Sequence, residues 1–242
     1  MAEISDKEAL EKEVPELQAR FKDSTPEELL RYFLSRFGKQ IALSSSLGKE
    51  DQVLLDMIMK IDREARVFTI DTGRLCPETY NLIATDEDYY KIKLEVFFPD
   101  RAKVEEYVRT YGINGFYAGH EARKACCEAR KLEPLRRALS GLDVWICGLR
   151  RSQSVTRSED KAVEWDARHG LIKLNPLIDW EESDVDAYVK EHSVPVNVLH
   201  RKGYPSIGCR PCTRAVQPGE DIRSGRWWWE SPLHRECGLH RD

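Results

Sequence analysis

Apolar positions near the N-terminus recur at helical spacing and then change period. Leu10, Val14, Leu17 and Phe21 lie three or four residues apart, which predicts an amphipathic helix. Ser24-Thr25-Pro26-Glu27-Glu28 supplies a capping hydroxyl, a first-turn proline and two carboxylates, so a second helix begins there. It presents Leu29, Leu30, Phe33, Leu34 and Phe37 and stops at Gly38. Beyond that point short apolar runs alternate with helical patterns. Strands are predicted at 40–43, 66–70, 91–98, 143–147 and 171–174. Helices are predicted at 51–60, from 77 to about 84, at 101–111, over most of 122–139 and at 179–192. Strand–helix alternation of this kind predicts an α/β fold: a single Rossmann-like domain whose mainly parallel sheet is flanked by helices. The domain is placed at residues 1–217, with a mobile C-terminal tail at 218–242.

Composition changes this picture little. The chain has 242 residues, 41% hydrophobic and 33% charged, as expected of a soluble globular protein. A net charge of −4 gives no general attraction to nucleic acid. Residues 1–10 are polar and acidic, without an apolar run for export or membrane insertion, so a cytoplasmic protein with no membrane partner is expected. The arginines are unevenly spread. Arg150, Arg151 and Arg157 crowd one loop, and Arg210, Arg214, Arg223 and Arg226 crowd the C-terminal region, which points to a small anionic ligand.

In such folds ligands gather beyond the carboxyl ends of the strands. Three strand-end loops here carry suitable chemistry. Ser44-Ser45-Ser46-Leu47-Gly48 leads directly into a helix, so hydroxyls and backbone N–H groups can surround an anion. The same composition also suits ordinary helix capping. Asp71-Thr72-Gly73-Arg74 ends the next strand and suits a tight turn. Gly148 opens a loop containing three arginines, where glycine permits close approach and guanidinium forks suit phosphate or sulfate oxygens.

The seven cysteines decide the rest. Cys209-Arg210-Pro211-Cys212 has metal-ligand spacing, since two intervening residues let both sulfurs reach one centre. Cys126-Cys127 is an adjacent pair in a helical stretch; a core pair is the simpler account of it alone. Four such thiols suit zinc or an iron–sulfur cluster, and spacing leaves both open. Cys237 follows Trp227-Trp228-Trp229 in a region dense in arginine, the setting in which a thiolate becomes a usable nucleophile. Cys76 and Cys147 are read as structural.

Taken together these stretches resemble the assimilatory sulfonucleotide reductases of the PP-loop (adenine-nucleotide hydrolase-like) superfamily, closest to their iron–sulfur, adenylylsulfate-reducing class. The resemblance runs from Ile41-Ala42-Leu43-Ser44-Ser45-Ser46 through Cys126-Cys127-Glu128-Ala129-Arg130-Lys131 to Cys237-Gly238-Leu239-His240. It implies a [4Fe–4S] cluster on Cys126, Cys127, Cys209 and Cys212, and a nucleophile at Cys237. It also implies that adenylylsulfate is held by Ser44, Ser45, Ser46, Gly148, Lys131, Arg157, Arg223 and Arg226. The implied reaction is reduction to sulfite and AMP through an S-sulfocysteine, resolved by thioredoxin or glutaredoxin, within sulfate assimilation and cysteine biosynthesis. A homo-oligomer is expected. The alternatives are a reductase of 3′-phosphoadenylylsulfate or of both nucleotides, an ATP-using PP-loop enzyme with a zinc knuckle, and a non-catalytic redox sensor. Ser45-Ser46-Leu47-Gly48 departs from the Ser-Gly-Gly-x-Asp-Ser loop of the ATP-using relatives.

Overall fold

Burial of the apolar runs produces one six-stranded sheet in the order β3-β2-β1-β4-β6-β5. The computed structural model describes residues 7–153 and 159–231. β1 (Ile41–Ser44) pairs in parallel with β2 (Arg66–Ile70) and with β4 (Val144–Ile146). β6 (Leu171–Leu174) continues the parallel set beside β4, and β5 (Val163–Asp166) closes that edge antiparallel to β6. β3 (Glu95–Phe97) forms the other edge. The central strands are buried on both faces, as parallel strands covered by helices must be, and therefore read as continuous apolar runs.

The helices follow the predicted pattern. α1 (Lys7–Arg20) buries Leu10, Val14 and Leu17. α2 (Pro26–Phe37) starts with a complete capping box between Thr25 and Glu28, and ends at Gly38 with φ 51°. α3 (Lys49–Ile61) is buried along nearly its whole length from Asp51 to Met59. α4 (Pro77–Tyr90) and α5 (Arg101–Tyr111) follow, then α6 (His120–Cys127), α7 (Glu133–Leu139) and α8 (Glu182–Glu191).

The structure corrects four local expectations. The helix at 77 runs on to Tyr90, and Lys91 takes a left-handed φ of 57°; the strand foreseen at 91–98 is therefore reduced to Glu95–Phe97. Residues 122–139 are not one helix, because Glu128–Leu132 forms a π-helical turn between α6 and α7. The helix foreseen at 179–192 is confined to Glu182–Glu191 and begins with Glu181 as its cap. β5 was not foreseen, although Val163-Glu164-Trp165-Asp166 alternates as an edge strand should.

The chain forms two compact units. The first comprises residues 1–68, 85–95 and 139–196; the second comprises 69–84, 96–138 and 197–242. In the first, Ile41, Leu43, Val144, Ile146, Ile172 and Leu174 make the interior with α3. In the second, Tyr107, Phe116, Ala129 and Trp227 pack around Cys126, Cys209 and Cys212. Among the described residues no helix is long and apolar enough to cross a membrane.

Candidate active site

In the first unit the serine loop leaves β1 and turns into α3. Ser45 N–H donates to Phe68 O at 2.8 Å, and Ser45 Oγ accepts from Leu47 N–H at 3.1 Å. Leu47 sits in the left-handed region with φ 64°, a strained conformation for a branched residue. Ser46 turns its donors inward: both its N–H and its hydroxyl reach Asp51 Oδ2, each at 2.6 Å. Gly148 adds a backbone N–H to the same carboxylate. The donors foreseen for a bound anion thus hold a carboxylate of the chain's own first helical turn. Burial raises the Asp51 carboxyl to about 6 against the opposing pull of the Ser46 bonds. Asp51 was missed because a carboxylate two residues inside a helix looks like ordinary first-turn charge.

Gly148 is required by this packing. A Cβ there would lie 2.2 Å from Asp51 Oδ1 and 3.1 Å from Asp51 N. Beyond it Arg150 is buried and turns inward, its Nε donating to Glu50 Oε1 at 2.8 Å and its Nη1 to Ser152 Oγ at 2.8 Å. Arg151 pairs with Asp179. Arg157 lies outside the described residues.

In the second unit four cysteines line one cavity together with Arg74, Arg123, Arg130 and Lys131, under the rings of Phe116 and Trp227. Cys126, Cys127, Cys209 and Cys212 are all buried and free of disulfides. The adjacent pair reaches one cavity where helix geometry changes: Cys127 ends α6 and caps the π-helical turn, a feature that recurs at functional sites. Cys209 and Cys212 are joined by a single turn in which Cys212 N–H donates to Cys209 O at 2.9 Å. Thr213 Oγ1 also donates to Cys209 O at 2.9 Å and accepts from Gly208 N–H at 3.1 Å.

The Asp71–Arg74 loop supports this turn. Thr72 Oγ1 lies 3.2 Å from Cys209 Sγ, Arg130 donates to Thr72 O at 2.8 Å, and Arg210 N–H donates to Arg74 O at 2.7 Å. Burial raises the Cys126 thiol, opposed by Arg130. Burial also pushes Cys212 up to about 12, reinforced by Cys209 and opposed by Lys131 and Arg226. A buried thiol with a raised pKa needs a metal to ionise it and become a ligand. The donor set is soft and fits iron–sulfur or zinc chemistry alike. Among the described residues no three His, Cys, Asp or Glu side chains converge on the position of one metal ion. The four cysteines line a cavity instead.

The segment after the cysteines is anchored to them. Thr213 bridges Arg226 in antiparallel fashion, and Trp227 N–H donates to Cys212 O at 3.2 Å. Arg226 is buried against Gly208, where a Cβ would meet its Nη2 at 2.3 Å, and donates to Ser206 Oγ and Ile207 O. Arg223 is half-buried, its backbone N–H bonded to Asp221. Lys131 is half-buried on the cavity wall. Cys237 lies outside the described residues. Cys76 and Cys147 are fully buried thiols, the latter held far above its ordinary pKa by desolvation, consistent with structural roles. Sequence reading also missed Arg123, Arg130, Thr72 and Glu230. Arg123 had a signal: it stands four residues before Cys127, on the same helix face.

An α/β sheet with prepared strand-end loops, joined in one chain to a cation-walled four-thiol cavity, defines a nucleotide-handling sulfur enzyme. Residues 40–215 match the phosphoadenosine phosphosulfate reductase domain, and the chain belongs to that family. It is 54% identical over 201 residues to adenosine 5′-phosphosulfate reductase of Allochromatium vinosum, covering 83% of this chain and 78% of that one. It is 47% identical over 229 residues to the enzyme of the same name from Burkholderia cepacia, covering 93% and 89%. Among solved structures it is similar to the phosphoadenylyl-sulfate reductase of Candida auris in a phosphate complex. That likeness has a TM-score of 0.72 and 28% identity, covering 85% of this chain and 97% of that one.

Proposed function

We propose that the chain reduces adenylylsulfate to sulfite and AMP, with Cys237 as its nucleophile. The observation that carries this reading is the cavity lined by four buried, disulfide-free cysteines together with arginine and lysine. It occurs in a chain 54% identical to an adenosine 5′-phosphosulfate reductase. The identity of 28% to a solved phosphoadenylyl-sulfate reductase is much lower, which favours the nucleotide without a 3′-phosphate as substrate.

The Cys237 thiolate attacks the sulfate sulfur of adenylylsulfate. An S–S bond forms, the S–O bond to the phosphate breaks, and AMP leaves with that electron pair. One thiolate of a thioredoxin-like dithiol then attacks the Cys237 sulfur, releasing sulfite and leaving a mixed disulfide. Its second thiol breaks that bond, forming the reductant's own disulfide and releasing the Cys237 thiolate. Sulfur is reduced by two electrons and the dithiol is oxidised by two. Lys131, Arg157, Arg223 and Arg226 offset the repulsion between thiolate and dianion and stabilise charge on the oxygens. Ser44, Ser45, Ser46 and Gly148 hold the nucleotide. Asp51 keeps the serine loop in shape for it.

Cys126, Cys127, Cys209 and Cys212 hold a [4Fe–4S] cluster. Four cysteines that line one cavity without converging on one point suit a cluster better than one tetrahedral ion, whose thiolates all lie about 2.3 Å from a single point. When bound, the cluster supplies a local electrostatic centre beside Lys131. Replacement of Cys237 by serine tests the assignment. Sulfite formation is lost, while adenylylsulfate binding and the brown visible absorption persist. Continued turnover by that variant would remove Cys237 from the mechanism.

A further inference from the structure

One guanidinium joins the thiol cavity to the segment that leads toward Cys237. Arg123 lies on α6 and hydrogen-bonds the Cys127 side chain. Its Nε donates to Glu230 Oε1 at 2.7 Å, and the two side chains are only 1% and 5% exposed. The same guanidinium lies 4.7 Å from the Trp227 ring centroid, with Arg226 on that ring at 4.6 Å. Trp227 N–H bonds Cys212 O, and Glu230 N–H bonds Trp227 O at 2.8 Å. Residues 226–230 are therefore fixed to two elements that carry cavity cysteines.

A buried ion pair is a poor source of stability, since an apolar pair of similar volume commonly does as well or better. Its use lies in specifying one geometry. Here the specified geometry is the position of Glu230, the residue before the last described one, relative to Cys127. Ligation of Cys127 fixes its sulfur, a fixed sulfur fixes the guanidinium, and the guanidinium fixes Glu230.

We propose that Arg123 is a positioning residue that couples occupancy of the four-cysteine site to docking of residues 226–231, and so to delivery of the nucleophile. The proposal rests on the reading of Cys126, Cys127, Cys209 and Cys212 as the cluster site and of Cys237 as nucleophile. The coupling itself is read without turnover.

The experiment is hydrogen exchange by mass spectrometry on anaerobically purified protein, iron-loaded and after chelation, for the wild type, Glu230→Gln and Arg123→Lys. Chelation of the wild type speeds exchange of amides 226–231 by about tenfold, an ordinary coupling between two sites. Glu230→Gln shows the same local release with iron still bound, and chelation then adds little. Because coupling is reciprocal, Glu230→Gln also loses iron at about tenfold lower chelator concentration. Arg123→Lys keeps the charge without the fork and recovers part of the protection. Unchanged exchange in either comparison overturns the coupling, as does faster exchange spread evenly over the whole chain. Cys237→Ser leaves these readouts unmoved, so failure of the nucleophile assignment is seen separately. Wild-type protein that purifies without iron overturns the cluster reading instead.

Discussion

The two units solve the same problem, placing polar groups where a charged ligand must come, in opposite ways. In the first unit the strand-end donors find acceptors within the chain. Ser46 and Gly148 serve Asp51, and Arg150 serves Glu50 and Ser152. In the second unit four cysteines line a cavity beside several cations, and among the described residues the buried donors Arg130 Nε and Trp229 Nε1 have no acceptor. An unsatisfied buried donor costs about 1–3 kcal/mol, so an acceptor from outside the described residues would stabilise that arrangement. The strand-end donors of the first unit are engaged by the fold itself; the cysteine cavity of the second is, on the proposed reading, completed by what it binds.

The largest expected effect follows from that incompleteness. On the proposed reading Cys212→Ala removes one cluster ligand, so iron and sulfide fall to background and sulfite formation is lost. Exchange rises over residues 120–132 and 205–213, while strands β1 and β4 stay protected. Iron analysis and hydrogen exchange on one preparation check both parts. Equal loosening of β1 and β4 would erase the contrast between the units.

A smaller effect belongs to the first unit. Burial holds Asp51 near 6, above the ordinary carboxylate value of 3.8. A raised folded-state pKa means that the native protein binds the proton more tightly than the unfolded chain. The stabilisation is then complete below about 4 and is lost as pH rises through 6, by about 3 kcal/mol in all. Urea unfolding of wild type and Asp51→Asn, compared between pH 4 and pH 7, reads this difference directly. The variant lacks that slope. A pH-independent gap would mean that Asp51 stays ionised throughout.

Much of the fold was legible because each element carries its own signal. Thr25 with Glu28, Gly38 and the buried runs at β1, β2 and β6 act locally. The four cavity cysteines were legible as a set only through resemblance, since their convergence depends on the π-helical turn after Cys127 and the Thr72 support of Cys209. No local period announces either. β5 was hidden because four residues at a sheet edge give a weak alternation. Asp51 and Arg123 were hidden for a different reason. Their chemistry comes from burial, and burial of a charged side chain is a property of the packed fold.

The contrast can be sharpened at one backbone atom. Gly148 is needed because a Cβ would lie 2.2 Å from Asp51 Oδ1, and neither helix α3 nor strand β4 can retreat without opening the interior. Gly148→Ala therefore costs about 1–3 kcal/mol, the usual penalty of overpacking, and weakens adenylylsulfate binding while iron content stays normal. If the carboxylate is the obstacle, Asp51→Ala removes it, and the double variant is less destabilised than the two single changes added together. Strict additivity would place the strain in the backbone contact with Asp51 N at 3.1 Å instead. In either case the damage stays within the first unit, because the requirement for glycine there arises from the chain's own carboxylate and not from a ligand.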